Sequence, residues 1–130
     1  MTTIALIVAA GRGTRMGEGL PKQYMDLAGR PVLGHTLAAF TEHPSVDSVR
    51  AVIHPNDMDL YRDSAQGLEV MEPVPGGASR QNSVLLGLES LTEFDPKNVL
   101  IHDGARPLVS PGIIERTISA LDEAPGAIAA

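Results

Sequence analysis

Leu6 to Tyr24, LIVAAGRGTRMGEGLPKQY, is the stretch from which the fold is read. Ile4, Ala5, Leu6, Ile7, Val8, Ala9 and Ala10 form an unbroken apolar run, which suits a strand buried on both faces of a parallel sheet. Gly11 and Gly13 stop that strand. Lacking Cβ atoms, they let the backbone turn sharply and bring its N–H groups close to an anion. Arg12, Arg15 and Lys22 then add three cations within one short loop. The pattern is neither a dinucleotide-binding GxGxxG, which needs glycine at Met16, nor a Walker A loop, which needs Gly-Lys-Ser/Thr after a glycine. A glycine-rich surface turn with solvated cations is the plain alternative to an anion-handling loop.

Around this stretch the charge is uneven. Residues 1–35 carry Arg12, Arg15, Lys22 and Arg30 against Glu18 and Asp26, a basic segment in a chain of net charge −6. A basic loop in an acidic protein suits a small phosphate ligand better than a nucleic acid, which needs a broad basic face. The chain has 130 residues, enough for one core; 43% are apolar and 20% charged, which excludes a disordered tail. It has no cysteine, so thiolate metal sites, disulfides and thiol catalysis are excluded. No apolar run approaches a membrane span, and the apolar start has no basic leader, so a cytoplasmic protein is expected.

Downstream, strand and helix patterns alternate. Pro31 opens a helix whose Val32, Leu33, Thr36, Leu37 and Phe40 recur at helical spacing, and Pro44 ends it. Val46–Ile53 reads as a second strand, Pro55–Asp57 as a turn and cap, and Asp57–Gln66 as a polar helix. Leu68–Val74 is expected as a third strand. Ser79 caps a helix with Val84, Leu85, Leu88 and Leu91 as its buried stripe. Val99–His102 is a fourth strand, and Pro111–Glu123 a helix capped by Ser110, before a new apolar segment from Gly126 to Ala130. This alternation predicts a doubly wound, mostly parallel α/β sheet with ligands at the carboxyl ends of its strands. The loops after strands one, three and four would open on one edge.

Two of those loops carry further chemistry. Pro75–Val84, PGGASRQNSV, puts glycines before a helix N-terminus, where free N–H groups and a partial positive charge face the ligand. Ser79, Arg80 and Ser83 can add directed hydrogen bonds; an ordinary capped helix is the alternative. His102–Pro107, HDGARP, places Asp103 at the end of an apolar strand, where a carboxylate is costly unless paired. Beside phosphates the usual partner is Mg²⁺. Arg106 reads as structural, pairing with Asp103 or a helix end. His102 reads as a packed strand residue, and His35, His43 and His54 lack metal-ligand spacing.

AAGxGxRM with PKQY resembles the signature loop of nucleotidyltransferases that join a nucleoside triphosphate to a phosphorylated sugar or polyol. Together LPKQY, GGxxRxxSV and HDGARP are similar to the 2-C-methyl-D-erythritol 4-phosphate cytidylyltransferases and the neighbouring ribitol-5-phosphate cytidylyltransferases. The resemblance covers essentially the whole chain, and some relatives are fused to a cyclodiphosphate synthase. It implies a Rossmann-like fold of the nucleotide-diphospho-sugar transferase type, with residues 1–130 as the N-terminal, CTP-binding portion. It implies transfer of a cytidylyl group from CTP to a polyol phosphate, with release of pyrophosphate. Arg15 and Lys22 would be the catalytic cations. Ala9, Ala10, Gly11, Gly13, Gly76, Gly77, Ala78, Arg80, Ser83, Asp103 and Gly104 would touch the nucleotide, and Asp103 would hold Mg²⁺. Many relatives have an acid where this chain has Ala78, so contacts there would come from backbone. The resemblance also implies a further half that binds the acceptor and forms a homodimer, so a chain of this length is expected to be truncated and weak in turnover alone. A non-catalytic nucleotide-binding module is the alternative of another class. A dehydrogenase comes last, since Ile53 leads into His54-Pro55 without an acid for a ribose.

Overall fold

The computed structural model describes residues 2–11, 21–105 and 111–121. In chain order the elements are β1 (Thr3–Ala9), a hairpin of β2 (Asp26–Leu27) and β3 (Arg30–Pro31), α1 (Val32–Thr41), β4 (Ser48–Ile53), α2 (Met58–Ser64), β5 (Val74–Pro75), α3 (Arg80–Ser90), β6 (Asn98–Asp103) and α4 (Pro111–Leu121). The main sheet has the order β5-β4-β1-β6. Its pairings are parallel, running from Ile4↔Ser48 to Ala9↔Ile53 on one side of β1 and from Thr3↔Asn98 to Val8↔Asp103 on the other. The chain steps outward from β1 to β4 and β5, then returns to place β6 on the opposite side of β1. That reversal puts the topological switch point between β1 and β6, where open α/β sheets hold their ligands.

All seven β1 residues are buried, and the unbroken apolar run Ile4–Ala10 accounts for six of them, as a strand covered on both faces requires. Strand period assigns them alternately. Ala5, Ile7 and Ala9 face a core with Leu33, Leu37 and Phe40 of α1, Tyr61 of α2 and Ile114 of α4. Ile4, Leu6 and the following Ala10 face a smaller core with Val52 and Leu91, beside α3. The first helix buries Leu33, Thr36, Leu37 and Phe40, the stripe its spacing predicts. Leu33 and Leu37 are fully buried, so truncating either to alanine costs roughly 2–5 kcal/mol.

Two expected features come out differently. The third strand is not Leu68–Val74: only Val74–Pro75 pairs with β4, through Val52↔Val74 and Ile53↔Pro75. Pro73 has no N–H to donate to a ladder. The preceding stretch touches the sheet through one bond, from Met71 N–H to the Val49 carbonyl at 2.8 Å. The buried stripe of α3 also differs in part. The expected Leu88 and Leu91 pack on the smaller core, but Leu85 is 53% exposed and Ser83 and Gly87 face the sheet instead. A β-carbon placed on Gly87 would lie 2.7 Å from Leu6 Cδ2 and 2.8 Å from Val52 Cγ2. The helix therefore sits too close to the strands for a large side chain at that position. The β2–β3 hairpin, absent from the expected elements, turns through Ala28 and Gly29 at φ 54° and 89°, the left-handed pair of a two-residue turn. Pro31 closes that hairpin and caps α1 rather than entering its first turn. The Ser110 cap and the segment 126–130 lie outside the described residues.

Candidate functional site

The carboxyl end of the sheet gathers the loops after β1, β5 and β6, and two consecutive alanines organise it. A β-carbon on Gly76 would lie 2.4 Å from Ala10 Cβ and 2.6 Å from Ser83 Oγ. One on Gly104 would lie 2.9 Å from Ala9 Cβ and 3.1 Å from Leu33 Cδ1. Ala9 and Ala10 point to opposite faces of β1, so each face of the strand end receives a glycine loop. Contacts this short require the smallest residues on both partners. Backbone bonds fix the same approach, from Gly76 N–H to the Ile53 carbonyl at 2.8 Å and from Gly104 N–H to the Val8 carbonyl at 2.9 Å.

The loop before α3 is shaped from within. Ser79 is the N-cap, its Oγ accepting the Asn82 N–H at 3.1 Å. Ser83 is 2% exposed, and its Oγ accepts the Gly77 N–H at 3.1 Å. The serine therefore holds the glycine pair while its own O–H remains a donor. Gly77, Ala78, Ser79 and Arg80 are exposed around it.

On the other side of the site, Asp103 ends β6 and is half-buried, and its Oδ1 accepts the Ala105 N–H at 3.3 Å. Thr36 Oγ1 of α1 donates to the Gly104 carbonyl at 3.3 Å, tying this turn to the core helix. Among the described residues no group of three His, Cys, Asp or Glu is placed to hold a metal. Asp103 alone fits a hard cation that takes one carboxylate and fills its other positions with substrate oxygens and water, as Mg²⁺ does. His102 is half-buried with its ring centroid 5.2 Å from that of Phe40, the packed strand residue its position predicts.

Lys22 is exposed at the start of a short turn, Lys22–Tyr24, whose other two residues are buried. The Gln23 carboxamide donates to the carbonyls of Ala9 and Gly11, both at 2.8 Å. Arg12, Gly13, Arg15 and Arg106 lie outside the described residues. Of the expected site residues that are described, Ala9, Ala10, Gly76, Gly77, Ser83 and Gly104 are brought together by these contacts. Gly11 and Lys22 join them through Gln23, and Asp103 through its ladder pair with Val8. Ala78 and Arg80 are exposed in the same loop. Sequence reasoning overlooked Gln23 and Thr36. The signal for Gln23 was its place beside a cation in PKQY; Thr36 looked like one more residue of an apolar helix stripe.

A parallel, doubly wound sheet with two glycine loops closing on its switch point defines a protein of the open α/β class, whose members take ligands in that crevice. The sequence matches the family model IspD, 2-C-methyl-D-erythritol 4-phosphate cytidylyltransferase, over residues 3–130. The chain belongs to that family. It is 61% identical over 126 residues to the bifunctional enzyme IspD/IspF of Paramagnetospirillum magneticum, covering 97% of this chain and 33% of that protein. It is 56% identical over 130 residues to the 2-C-methyl-D-erythritol 4-phosphate cytidylyltransferase of Cereibacter sphaeroides, covering 98% and 57%. Its fold superposes on 4-diphosphocytidyl-2C-methyl-D-erythritol synthase of Anaerococcus prevotii with a TM-score of 0.75 at 33% identity, covering 92% and 50%. The chain thus spans a third of the fused relative and little more than half of the single-function one.

Proposed function

We propose that the full-length protein transfers the cytidylyl group of CTP to 2-C-methyl-D-erythritol 4-phosphate, releasing pyrophosphate. What supports the reading is the convergence of two glycine loops on Ala9 and Ala10 beside an exposed Lys22, in a chain of this family. A phosphate oxygen of the acceptor attacks the α-phosphorus of CTP, a new P–O bond forms, and the bond to the β-phosphate oxygen breaks. Both reactants are anions, so catalysis is mainly positioning and neutralisation of developing charge.

Lys22 supplies a mobile point charge to the phosphates, and Arg15 a planar fork for two of their oxygens. Ala9, Ala10, Gly11 and Gly13 line the triphosphate with backbone. The Gly76–Ala78 backbone and Ser83 read the pyrimidine, and Arg80 lies at the same loop. Asp103 and Gly104 face the ribose and phosphates, and Asp103 is the carboxylate for Mg²⁺. When bound there, the cation would neutralise phosphate charge and favour departure of pyrophosphate. The resemblance, with the chain's share of its relatives' length, supports residues 1–130 as the CTP-binding portion. It also supports a cytoplasmic homodimer for the complete protein. No helix among the described residues is long and apolar enough to cross a membrane.

Pyrophosphate release from the full-length protein tests this, with CTP, Mg²⁺ and methylerythritol phosphate, ATP replacing CTP as control and ribitol 5-phosphate as the second acceptor. Turnover with CTP and methylerythritol phosphate is expected. Turnover with ribitol phosphate alone would move the acceptor assignment, and none with either would sink the enzyme reading. Lys22→Ala is expected to lower kcat by ~100-fold or more, the scale of losing one transition-state donor. Since Lys22 is exposed, stability should stay within about 0.5 kcal/mol.

A further inference from the structure

Gln23 is 6% exposed in a protein whose long polar side chains are otherwise mostly at the surface. Both N–H bonds of its carboxamide are spent on the backbone: one on the Ala9 carbonyl at the end of β1, one on the Gly11 carbonyl where the glycine loop leaves the strand, each at 2.8 Å. Only the amide nitrogen can serve both carbonyls, because they accept and never donate. Gln23 and Gly11 are twelve positions apart, at the two ends of the glycine-rich basic loop. One side chain therefore clamps the loop's exit from β1 to its return.

The return is itself rigid. Tyr24 is 4% exposed and belongs to the main core, Pro21 is buried, and Tyr24 N–H bonds the Pro21 carbonyl at 3.0 Å. Met25 N–H bonds the Lys22 carbonyl at 3.2 Å. Lys22 is the exposed member of this turn, with buried neighbours on both sides. The Gln23 amide joins this turn to the end of β1.

We infer that Gln23 is a positioning residue: by bonding the Ala9 and Gly11 carbonyls together it sets where Lys22 stands relative to the end of β1 and Gly11. The inference rests on the catalytic reading of Lys22 given above. A methionine of similar length keeps the bulk and removes both donors, leaving the two carbonyls to seek water and the turn free to move. A displacement of about 1 Å at a charged group can cost about 100-fold in rate. Gln23 acts through Lys22, so its loss should matter little once the lysine is gone.

The test is a double-mutant cycle in the full-length protein, with kcat and the KM for CTP measured for wild type, Gln23→Met, Lys22→Ala and the pair. Gln23→Met is expected to lower kcat by about 10- to 100-fold with KM within about threefold, and to add less than about threefold in the Lys22→Ala background. A kcat within about twofold of wild type, or losses that multiply in the double variant, would overturn the inference. If Gln23→Met does not fold, Gln23→Asn, whose shorter amide cannot span both carbonyls, is read by the same two criteria. A readout independent of turnover separates this proposal from the enzyme reading. Amide hydrogen exchange in residues 9–11 and 22–25 should quicken in Gln23→Met, and unchanged exchange would refute the clamp even if wild type proved inactive.

Discussion

The two ends of the sheet are closed by different means. At the amino end the strands bind one another reciprocally: Thr3 N–H donates to Asp47 Oδ2 at 2.8 Å, and Asp47 N–H returns a bond to the Thr3 carbonyl at 2.8 Å. Lys97 and Asn98 both donate their N–H groups to the Thr2 carbonyl, and the Asn98 amide reaches Thr3 Oγ1 at 3.4 Å. At the carboxyl end, close approach replaces exchange. Glycines seat against Ala9 and Ala10, and Gln23, Ser83 and Thr36 bond loop backbone rather than one another. A cavity of about 310 Å³ lies at the amino end, lined by residues that include Glu42, Asp47 and Glu69 and no lysine or arginine. Three carboxylates repel a triphosphate, so this hollow does not suit one. Closure by reciprocal bonds makes a frame, and closure by small residues leaves loops whose backbone a ligand can approach.

The sharpest way to break this comparison is at Gly76. Its added β-carbon would overlap Ala10 Cβ and Ser83 Oγ, so Gly76→Ala must push α3 or the loop away from β1. A stability loss of about 1–3 kcal/mol is expected from overpacking. With it should come a tenfold or greater rise in the KM for CTP, an amount of about 1.4 kcal/mol in binding. Chemical denaturation and steady-state kinetics read the two effects separately. A KM left at the wild-type value would mean that this approach serves packing alone.

The complementary substitution is Asp47→Ala at the other end. It removes the acceptor for a buried strand N–H, and losing a charge-assisted bond costs about 1.5–3 kcal/mol. Turnover should remain within about twofold, because no expected ligand lies there. A larger fall in kcat at full occupancy by CTP would erase the distinction between frame and site.

Much of this division is readable from sequence, for physical reasons. β1 shows itself because Ile4 to Ala10 are seven consecutive buried apolar residues, with no polar position to blur the pattern. The glycine loops show themselves because close backbone approach admits almost nothing else. The β5 region misleads because Leu68, Val70 and Val74 alternate like a strand, while Pro73 and a single bond to β4 confine pairing to two residues. In α3 the expected Leu88 and Leu91 do pack on the core, but distance to the sheet selects Ser83 and Gly87 rather than Leu85 beside them. Side-chain size sets that distance only together with the strands opposite, and no single helix sequence contains it. Gln23 escapes for a related reason: its partners are carbonyls, which every residue has and no residue type advertises.

Tyr61 sharpens the comparison from a third place, the flank of α2, where the smallest effect is expected. Its ring is buried in the main core at 3% exposure, and its hydroxyl has no hydrogen-bond partner among the described residues. Burial pushes the phenol up to about 12, the Glu72 carboxylate adds to the rise, and the Arg50 guanidinium works against it. Removing an unsatisfied buried hydroxyl costs little, so Tyr61→Phe should leave stability at pH 7 unchanged or raise it by up to about 1 kcal/mol. The alkaline limb carries the signal. An unfolded tyrosine ionises near pH 10, whereas the folded Tyr61 keeps its proton to about pH 12. In that window the folded state binds more protons than the unfolded one, so the stability contributed by the proton, intact below pH 10, is lost as pH rises toward 12. Urea midpoints measured from pH 7 to 11.5 should therefore fall less steeply for Tyr61→Phe than for wild type. Parallel curves would show that Tyr61 ionises alike in both states, and a loss above about 1 kcal/mol at pH 7 would show that the hydroxyl contributes a bond to the flank, making it a third region closed by polar exchange like the amino end.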